Sequence, residues 1–398
     1  MKKIMFYCQN LLGMGHLVRT TEIIRNLVKD FKVCLIDGGQ IVEGFQMPEG
    51  VEVLHLPAIR AEDKEIKVVN SSHTLEEVRE IRKRKLIKVF DDFQPDCLVT
   101  EGYPFSKKKS LGFELVPLLQ RIKASGGGTK IVCSLRDIIM VKQYGDRAKA
   151  EKERCELMNQ YYDTLLIHSD PKLHRLEENF SLTGELECQI KYTGYVAQSS
   201  PESIEFTLED IVNLNRQEPT ILVSVGGGRL GHDLLECVID SAAIIDSHLP
   251  HHIQIFTGPF MPEEKFTHFQ NLAADKSNIT LQRYTPNLLS YMEKARLSIS
   301  LGGYNTTMNV LKTGVNSMIY PSNKDSEQRI RAEKLEQLGI LSVVRPEDLQ
   351  ADIFAQKVIE RLQILPTTSA FGRLELQGAQ KTAQILKDLV QSKVAIAA

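Results

Sequence analysis

Three glycine-rich turns carry the residue types that could bind a ligand or move a proton in this chain of 398 residues. The most informative turn follows the apolar run 297–301 and opens a segment with helical spacing. It reads Gly302-Gly303-Tyr304-Asn305-Thr306-Thr307. Glycines let the backbone approach a ligand closely, and a helix N-terminus offers N–H groups and a partial positive charge. The turn is therefore predicted to bind a phosphate or diphosphate group.

A histidine lies in the first turn, which contains Gly13, Gly15 and His16 between the apolar run 4–8 and a helical pattern. The neutral-range pKa of histidine suits proton abstraction at the edge of a sheet. Arg19, in the first helical turn, could face the same crevice. The alternatives are a polar loop histidine that caps the helix and an arginine on the surface.

The second turn has three consecutive glycines, Gly226, Gly227 and Gly228, followed by Arg229. Each glycine is entropically unfavourable, so the run is easier to understand if backbone lies against a ligand. A tight turn alone is the alternative explanation. Arg229 could neutralise a phosphate or could simply be solvated.

Two loops extend the pocket expected at 302–307. One contains Tyr284 and Thr285, and the other contains Asp325, Glu327 and Gln328; each lies between a strand and a helix. Together with the turn they could offer backbone for a base, a helix N-terminus for phosphates and polar side chains for sugar hydroxyls. Glu327 and Gln328 could also be ordinary first-turn residues, because acidic side chains are favoured there.

Short apolar runs alternate with helix-period segments almost from end to end. The runs lie at 4–8, 32–36, 51–56, 97–100, 130–134, 164–167, 220–225, 253–257, 279–281, 297–301 and 317–320. Continuous apolar strands separated by helices predict an α/β protein with parallel sheets covered on both faces. Ligands of such sheets bind at the carboxyl ends of strands.

The pattern predicts two doubly wound, Rossmann-like domains, at 1–195 and 220–398. The stretch between them, 196–219, has no sustained strand signal and is predicted to be a linker. Residues 373–392 have helical spacing. They either complete the second core or pack back on the first domain.

The composition is that of a soluble globular protein, with 42% hydrophobic and 25% charged residues. The net charge of −2 gives no overall attraction to nucleic acid. Seven scattered cysteines and the absence of a visible signal peptide or membrane span predict reduced thiols and a cytoplasmic location. The basic run 79–88 and the lysines at 107–109 form either solvated surface or a patch that meets an anionic membrane.

With its three turns in this order, the chain resembles the GT-B glycosyltransferases of family 28, the MurG-like type. The resemblance covers essentially the whole chain and is strongest at 284–339. It implies an N-terminal domain for the acceptor and a C-terminal domain for a UDP-sugar, facing an interdomain cleft. It also implies that 302–307 holds the diphosphate, that Tyr284 and Thr285 lie beside the uracil, and that Glu327 and Gln328 contact the donor sugar. The resemblance further places Gly226–Gly228 at the cleft, and His16 matches the histidine of the family's glycine-rich loop.

Three positions depart from the family's pattern. Asn309 stands where an acidic residue often contacts the ribose, Leu301 replaces an arginine found in some relatives, and Gly228 replaces a hydroxyl residue. An amide can still bond a ribose, so a nucleotide site is retained, but uridine preference is less secure. The departures argue against the reaction of peptidoglycan synthesis itself and favour another transferase of the same fold.

The resulting prediction is an inverting transfer of a hexose or N-acetylhexosamine from a UDP-sugar to a hydroxyl acceptor. His16 is the first candidate for the base and Glu101, at the end of the run 97–100, is the second. No cofactor or metal is expected, because the helix N-terminus would stabilise the leaving diphosphate.

Two other functions stay open at this point. The pattern Gly13-x-Gly15-His16-x-x-Arg19 also resembles the UDP-sugar hydrolases of pseudaminic acid synthesis, in which the histidine activates water. A non-catalytic nucleotide-sugar-binding protein would keep the second-domain pocket alone. A UDP-N-acetylglucosamine 2-epimerase has a similar fold, but fewer of its motifs are present.

Overall fold

The computed structural model describes residues 1–9, 15–41, 45–62, 65–69, 71–106, 108–126, 128–140, 146–199, 205–322, 326–364 and 374–391. The chain forms two compact units. The first comprises Met1–Val196 together with Leu374–Ala398, and the second comprises Ala197–Arg373. Each has its own hydrophobic core and its own parallel sheet, as the α/β prediction requires.

The first unit is built on seven parallel strands. They are β1 (Lys2–Cys8), β2 (Phe31–Asp37), β3 (Val51–His55), β6 (Cys97–Glu101), β7 (Lys130–Arg136), β8 (Thr164–His168) and β9 (Gln189–Tyr192), and β4 (Ile59–Glu62) pairs with β5 (Glu65–Val68) in a separate antiparallel hairpin. The spatial order is β3-β2-β1-β6-β7-β8-β9. The sequence predicts six of these strands. It misses the hairpin and β9, which are short, polar segments without a continuous apolar run.

Four helices of the first unit lie between the strands in sequence: α1 (Gly15–Leu27), α2 (Leu75–Phe93), α3 (Lys108–Ala124) and α4 (Arg147–Tyr161). Short 3₁₀ turns occupy Leu176–Glu178 and Thr183–Glu185. Local sequence defines where two of the helices begin. Thr74 and Glu77 form a capping box before α2, and the Asp146 side chain accepts from the Lys149 N–H before α4. Caps of this kind stabilise a helix by about 1 kcal/mol each.

The second unit has six parallel strands and seven helices among its described residues. The strands are β10 (Thr220–Ser224), β11 (His252–Phe256), β12 (Ile279–Gln282), β13 (Leu297–Leu301), β14 (Ser317–Tyr320) and β15 (Ser342–Val343). The helices are α5 (Leu208–Leu214), α6 (His232–His248), α7 (Glu263–Ala273), α8 (Leu288–Lys294), α9 (Tyr304–Thr313), α10 (Ser326–Gln337) and α11 (Ala351–Gln363), with a 3₁₀ turn at Pro346–Asp348. The strand order is β12-β11-β10-β13-β14-β15.

The stretch predicted to be a linker contains helix α5 and belongs to the second unit. A capping box between Thr207 and Asp210 defines its start. The helix buries polar side chains and exposes apolar ones, the reverse of a usual surface helix. Asp210 and Asn213 are buried, whereas Leu208 is 83% exposed. The apolar pattern therefore gives no indication of the buried face, and for this reason sequence reasoning misses the helix.

The terminal helix α12 (Gly378–Gln391) belongs to the first unit, although the predicted boundaries put it in the range 220–398. The chain returns beside the end of the first unit, where the Tyr195 N–H donates to the Glu375 carbonyl at 2.7 Å. Lys387 then pairs with Asp30 at 2.8 Å. The apolar face that includes Ala383 and Leu386 is buried in this unit. The sequence left open whether this helix packs on the first or the second unit, and in the structure it packs on the first.

Both sheets reverse their strand order at one internal position, between β1 and β6 in the first unit and between β10 and β13 in the second. At such a switch point the connections leave in opposite directions, and a crevice opens at the carboxyl ends of the strands. The topology thus marks two edges where ligands of this fold bind. No helix among the described residues has the length and apolarity to cross a bilayer.

Candidate functional site

A buried carboxylate and a histidine meet at the switch point of the first unit. Glu101 is the last residue of β6 and is 1% exposed. His16 Nδ1 lies 2.8 Å from the Glu101 carboxylate, and Arg19 forms an ion pair with the same group. His16 and Arg19 are three residues apart on the first turn of α1, so both reach one side of the helix. The two candidates for the base are therefore hydrogen-bonded partners.

Glu101 and His16 differ in their charge states at neutral pH. Burial favours the neutral Glu101 carboxyl, but the charges of His16 and Arg19 and a hydrogen bond from Gln9 outweigh it, and the pKa falls to about 2. Burial also lowers the pKa of His16 from its usual 6.5, although the Glu101 carboxylate opposes the shift. At neutral pH the arrangement is an ionised carboxylate beside a neutral imidazole, and the His16 charge that lowers the pKa of Glu101 arises only at acid pH.

This geometry suits His16 rather than Glu101 to accept a proton. With Nδ1–H donating to Glu101, the ring has Nε2 as its acceptor atom. The His16 side chain is 15% exposed, so a substrate can reach it, whereas Glu101 is enclosed. Glu101 then fixes the tautomer and favours the imidazolium that forms. Of the other predicted residues here, Gly15 begins α1 and Gly13 lies outside the described residues.

A second polar chain lies at neighbouring strand ends, and sequence reasoning does not find it. His168 Nε2 lies 2.7 Å from Ser134 Oγ, and His168 Nδ1 lies 2.9 Å from Thr193 Oγ1. Burial lowers the pKa of His168 to about 3, so the ring is neutral. Because Ser134 and His168 are both fully buried, this chain supports the site and does not itself meet a substrate.

In the second unit, the turn at Gly302-Gly303 connects β13 to α9 at the switch point. Gly303 is the N-cap residue and supplies no side-chain cap to the first-turn N–H groups. No described atom lies within 4 Å of the place a Gly303 Cβ would occupy, so the backbone there borders open space. At Gly302 a Cβ would stand 3.2 Å from Ile319, and this glycine is needed for packing. The turn has the form of an anion-binding helix start.

The side chains of this turn divide into accessible and enclosed groups. Asn305 and Thr306 are half-buried, whereas Tyr304 and Thr307 are buried. The Thr307 hydroxyl donates to the Gly303 carbonyl at 3.0 Å, so it stabilises the first turn. Asn309, at the position expected to contact the ribose, is also buried. Its amide donates to Gln198 Oε1 at 2.6 Å.

Glu327 and Gln328, the two residues predicted to contact the donor sugar, lie in the first turn of α10, next to the glycine turn. Gln328 Oε1 accepts from the Ser322 N–H at 3.1 Å, and its Cβ lies 3.3 Å from the Cβ position of Gly302. Glu327 is 5% exposed and pairs with Arg331 at 2.7 Å. Sequence reasoning does not find Arg331, which donates to the Gly302 carbonyl of the glycine turn. Its only sequence signal is the four-residue spacing from Glu327. Asp325 lies outside the described residues.

Close packing against the loop at Thr257 and Gly258 explains much of the triple-glycine turn. Gly228 has φ +87°, and a Cβ there would lie 2.4 Å from the Thr257 carbonyl oxygen. Gly258 has φ +93° and would place a Cβ 2.4 Å from the Gly226 carbonyl oxygen. At Gly226, with φ +63°, no atom of the described residues lies within 4 Å of the Cβ position. Arg229 is exposed and lies 5.4 Å above the Phe260 ring.

The loop predicted to contact a base is anchored by a buried carboxylate of α5. Asp210 accepts from Tyr291 Oη at 2.8 Å, from the Asn287 amide at 3.2 Å and from the Thr285 hydroxyl at 3.4 Å. Thr285 thus faces inward and supports the loop. Tyr284 is half-buried, and burial raises the pKa of its hydroxyl. Asp210 was not indicated by the sequence because it lies in the predicted linker.

The basic run of α2 is less exposed than its sequence suggests. Arg82 is fully buried, where its guanidinium pairs with Glu114 at 2.7 Å and donates to the Gly38 carbonyl at 2.9 Å. Lys83 and Lys88 pair with acidic residues of the same helix. Of the predicted patch, Arg84, Lys85 and Lys88 are exposed. Lys107 and the side chains of 108 and 109 lie outside the described set.

Comparison with known proteins gives a family match in the second half of the chain and a relative that covers most of its length. Residues 220–383 match the glycosyltransferase family 28 C-terminal domain. The chain is 22% identical over 332 residues to an uncharacterized glycosyltransferase of Methanosarcina mazei, covering 81% of this chain and 80% of the relative.

Solved structures with the same architecture cover nearly the whole chain. A UDP-glucosyltransferase from Polygonum tinctorium superimposes with a TM-score of 0.66 at 12% identity, covering 98% of this chain and 99% of that chain. MurG of Acinetobacter baumannii superimposes with a TM-score of 0.57 at 12% identity, covering 98% and 100%. These likenesses identify the architecture as the GT-B fold.

Proposed function

We propose that this chain, a family 28-like glycosyltransferase with the GT-B fold, transfers a hexose or N-acetylhexosamine from a UDP-sugar to a hydroxyl acceptor with inversion. The observation that carries the proposal is the buried Glu101 carboxylate held against a partly exposed, neutral His16. Such a pair provides a base of the strength and accessibility that removal of a hydroxyl proton needs.

In the proposed reaction His16 removes the proton of the acceptor hydroxyl while its oxygen forms a bond to the anomeric carbon. The bond between that carbon and the diphosphate oxygen breaks with its electron pair on the oxygen, so the products are the glycoside and UDP. The attack comes from the face opposite the leaving group, and the configuration inverts. Glu101 stabilises the imidazolium produced on His16, and Arg19 keeps Glu101 ionised.

The leaving diphosphate is assigned to the Gly302-Gly303 turn and the start of α9. The open space at Gly303, and an N-cap residue that has no side chain of its own to cap the helix, favour this assignment. The helix dipole and the first-turn N–H groups would stabilise charge as it develops on the diphosphate, which is the basis for proposing that no metal is needed. Asn305 and Thr306, the half-buried side chains of the turn, are the proposed polar contacts.

UDP is the proposed nucleotide because the Polygonum tinctorium protein of the same fold is a UDP-glucosyltransferase. Tyr284 is the residue proposed to lie beside the uracil, while Thr285 acts indirectly through the Asp210 cluster. Glu327 and Gln328 are proposed to contact the sugar. Gly226 is the residue of the second turn proposed to approach the donor, because its Cβ position is open.

The acceptor is proposed to be a glycan, a glycolipid or a small molecule in the cytoplasm, or one presented at an anionic membrane surface. The membrane contact would rest on Arg84, Lys85 and Lys88, the exposed basic residues of the run. Sedimentation with phosphatidylglycerol vesicles and with phosphatidylcholine vesicles tests it. Equal partitioning of the protein to both would eliminate the contact.

A ligand screen followed by product analysis tests the proposed function. The folded protein should be stabilised by UDP and UDP-sugars more than by GDP or dTDP, by about 2.7 kcal/mol at 100 times the Kd. UDP-sugar is then incubated with and without a panel of hydroxyl acceptors. Acceptor-dependent UDP release with an inverted glycosidic product supports transfer. Equally fast release of UDP and free sugar without acceptor would replace it with hydrolysis.

A further inference from the structure

Arg331 connects two parts of the donor site that are far apart in sequence. Its Nη1 donates to the Gly302 carbonyl at 3.1 Å, and its Nη2 donates to Glu327 Oε1 at 2.7 Å. The guanidinium also lies 5.4 Å from the centre of the Tyr304 ring. One side chain therefore contacts the diphosphate turn, the start of α9 and the first turn of α10.

The burial of this group indicates that its contacts matter. Arg331 is 1% exposed and is among the largest fully buried side chains in the described part of the chain. Taking a guanidinium out of water is unfavourable by several kcal/mol unless its charge and N–H groups are matched. Here the charge is matched by Glu327 and one N–H group by Gly302, and both partners belong to the proposed donor site.

We propose that Arg331 is a positioning residue that sets donor-sugar selectivity. The inference rests on the proposed function. Arg331 pairs with the Glu327 carboxylate and orients it, so that its oxygens accept hydrogen bonds from the sugar. The bond to Gly302 fixes the distance between that acceptor and the diphosphate turn.

This arrangement favours a donor sugar with an unsubstituted hydroxyl facing Glu327 over its deoxy analogue. A hydrogen bond to a charged acceptor is typically worth about 1.5–3 kcal/mol, or roughly 10- to 150-fold in affinity. UDP alone lacks the sugar and is insensitive to this acceptor. The turn keeps an independent support, because the Gly302 N–H donates to the Tyr320 carbonyl at 3.1 Å.

The test compares the binding of UDP, UDP-glucose and UDP-deoxyglucose isomers by calorimetry. The variants are Arg331→Gln, Arg331→Lys, Glu327→Gln and the double variant Glu327→Gln/Arg331→Gln. Arg329→Gln is the matched control, because Arg329 is an exposed arginine on the same helix. The double variant removes both charges together, which proteins tolerate far better than one unpaired buried charge.

Wild type and the Arg329 control should bind UDP-glucose at least tenfold more tightly than one deoxy isomer. Arg331→Gln and the double variant should lose that discrimination while UDP affinity changes less than threefold, and Arg331→Lys should recover part of it. If Arg331→Gln does not fold, the double variant and Arg331→Lys decide. Equal losses for UDP and UDP-glucose, or retained discrimination in the double variant, would overturn the role of Arg331 and leave the proposed function intact. A wild-type protein that binds no nucleotide-sugar would overturn both.

Discussion

Replacing Glu101 by glutamine should reduce stability by an amount that depends on pH. The carboxyl has a pKa of about 2 in the folded protein against an ordinary value of 4.5. Each pKa unit corresponds to about 1.36 kcal/mol, so the ionised group contributes about 3 kcal/mol at pH 7. Because the folded pKa is depressed, this stability is present above pH 4.5 and is lost as the pH falls toward 2. At pH 3.5 about 2 kcal/mol should remain.

Urea unfolding of wild type and Glu101→Gln between pH 7 and pH 3.5 measures the difference. Glu80→Gln is the control, because Glu80 is an exposed carboxylate paired on the surface of α2 and should change stability by less than about 0.5 kcal/mol. The variant should also lose turnover, since an amide can donate to His16 Nδ1 and favour the unproductive tautomer. A stability difference that is below about 1 kcal/mol, or that is constant across this pH range, would refute the charge assignment.

Three further outcomes are expected. His16→Ala should lower kcat by roughly 10²- to 10⁴-fold, and an unchanged kcat would exclude the base role. Because burial lowers the pKa of His16, the acid limb of the kcat/KM profile of the wild type should lie below pH 6.5. Gly228→Ala should lower the free energy of unfolding in urea by roughly 2–4 kcal/mol, because its Cβ would meet the Thr257 carbonyl. Gly226→Ala should lower it by only about 1–2 kcal/mol, and equal losses would contradict the packing argument. Asp210→Ala should lose roughly 2–3 kcal/mol by the same measurement, because it leaves buried donors such as Tyr291 Oη without their acceptor, and no loss would contradict the anchoring role.

Continuous apolar runs predicted the strands well because both sheets are parallel and buried on both faces. Every predicted strand is present, including those that end at Glu101 and at Leu301. What the runs could not predict were the elements without such a signal. Helix α5 turns Asp210 inward and Leu208 outward, and the short polar strands β4, β5 and β9 have no apolar run.

The candidate site was predicted in its positions but not in its pairings. Sequence spacing placed His16 after one strand and Glu101 at the end of another, and treated them as rival bases. The strand order β1–β6 makes them neighbours, and burial encloses Glu101 while it leaves His16 partly exposed. The triple-glycine run was interpreted as backbone against a ligand or as a tight turn, and packing against the Thr257 carbonyl explains the glycine at 228.

The sequence by itself determined the repeated strand–turn–helix pattern, the two doubly wound units and the glycine turns, because periodicity and turn chemistry are local properties. Only the tertiary structure decided which polar groups share a low-dielectric environment. Glu101 gains His16 and Arg19, Glu327 gains Arg331, and the terminal helix joins the first unit through contacts across more than 300 residues. Such pairings depend on strand order and burial, which no local pattern encodes.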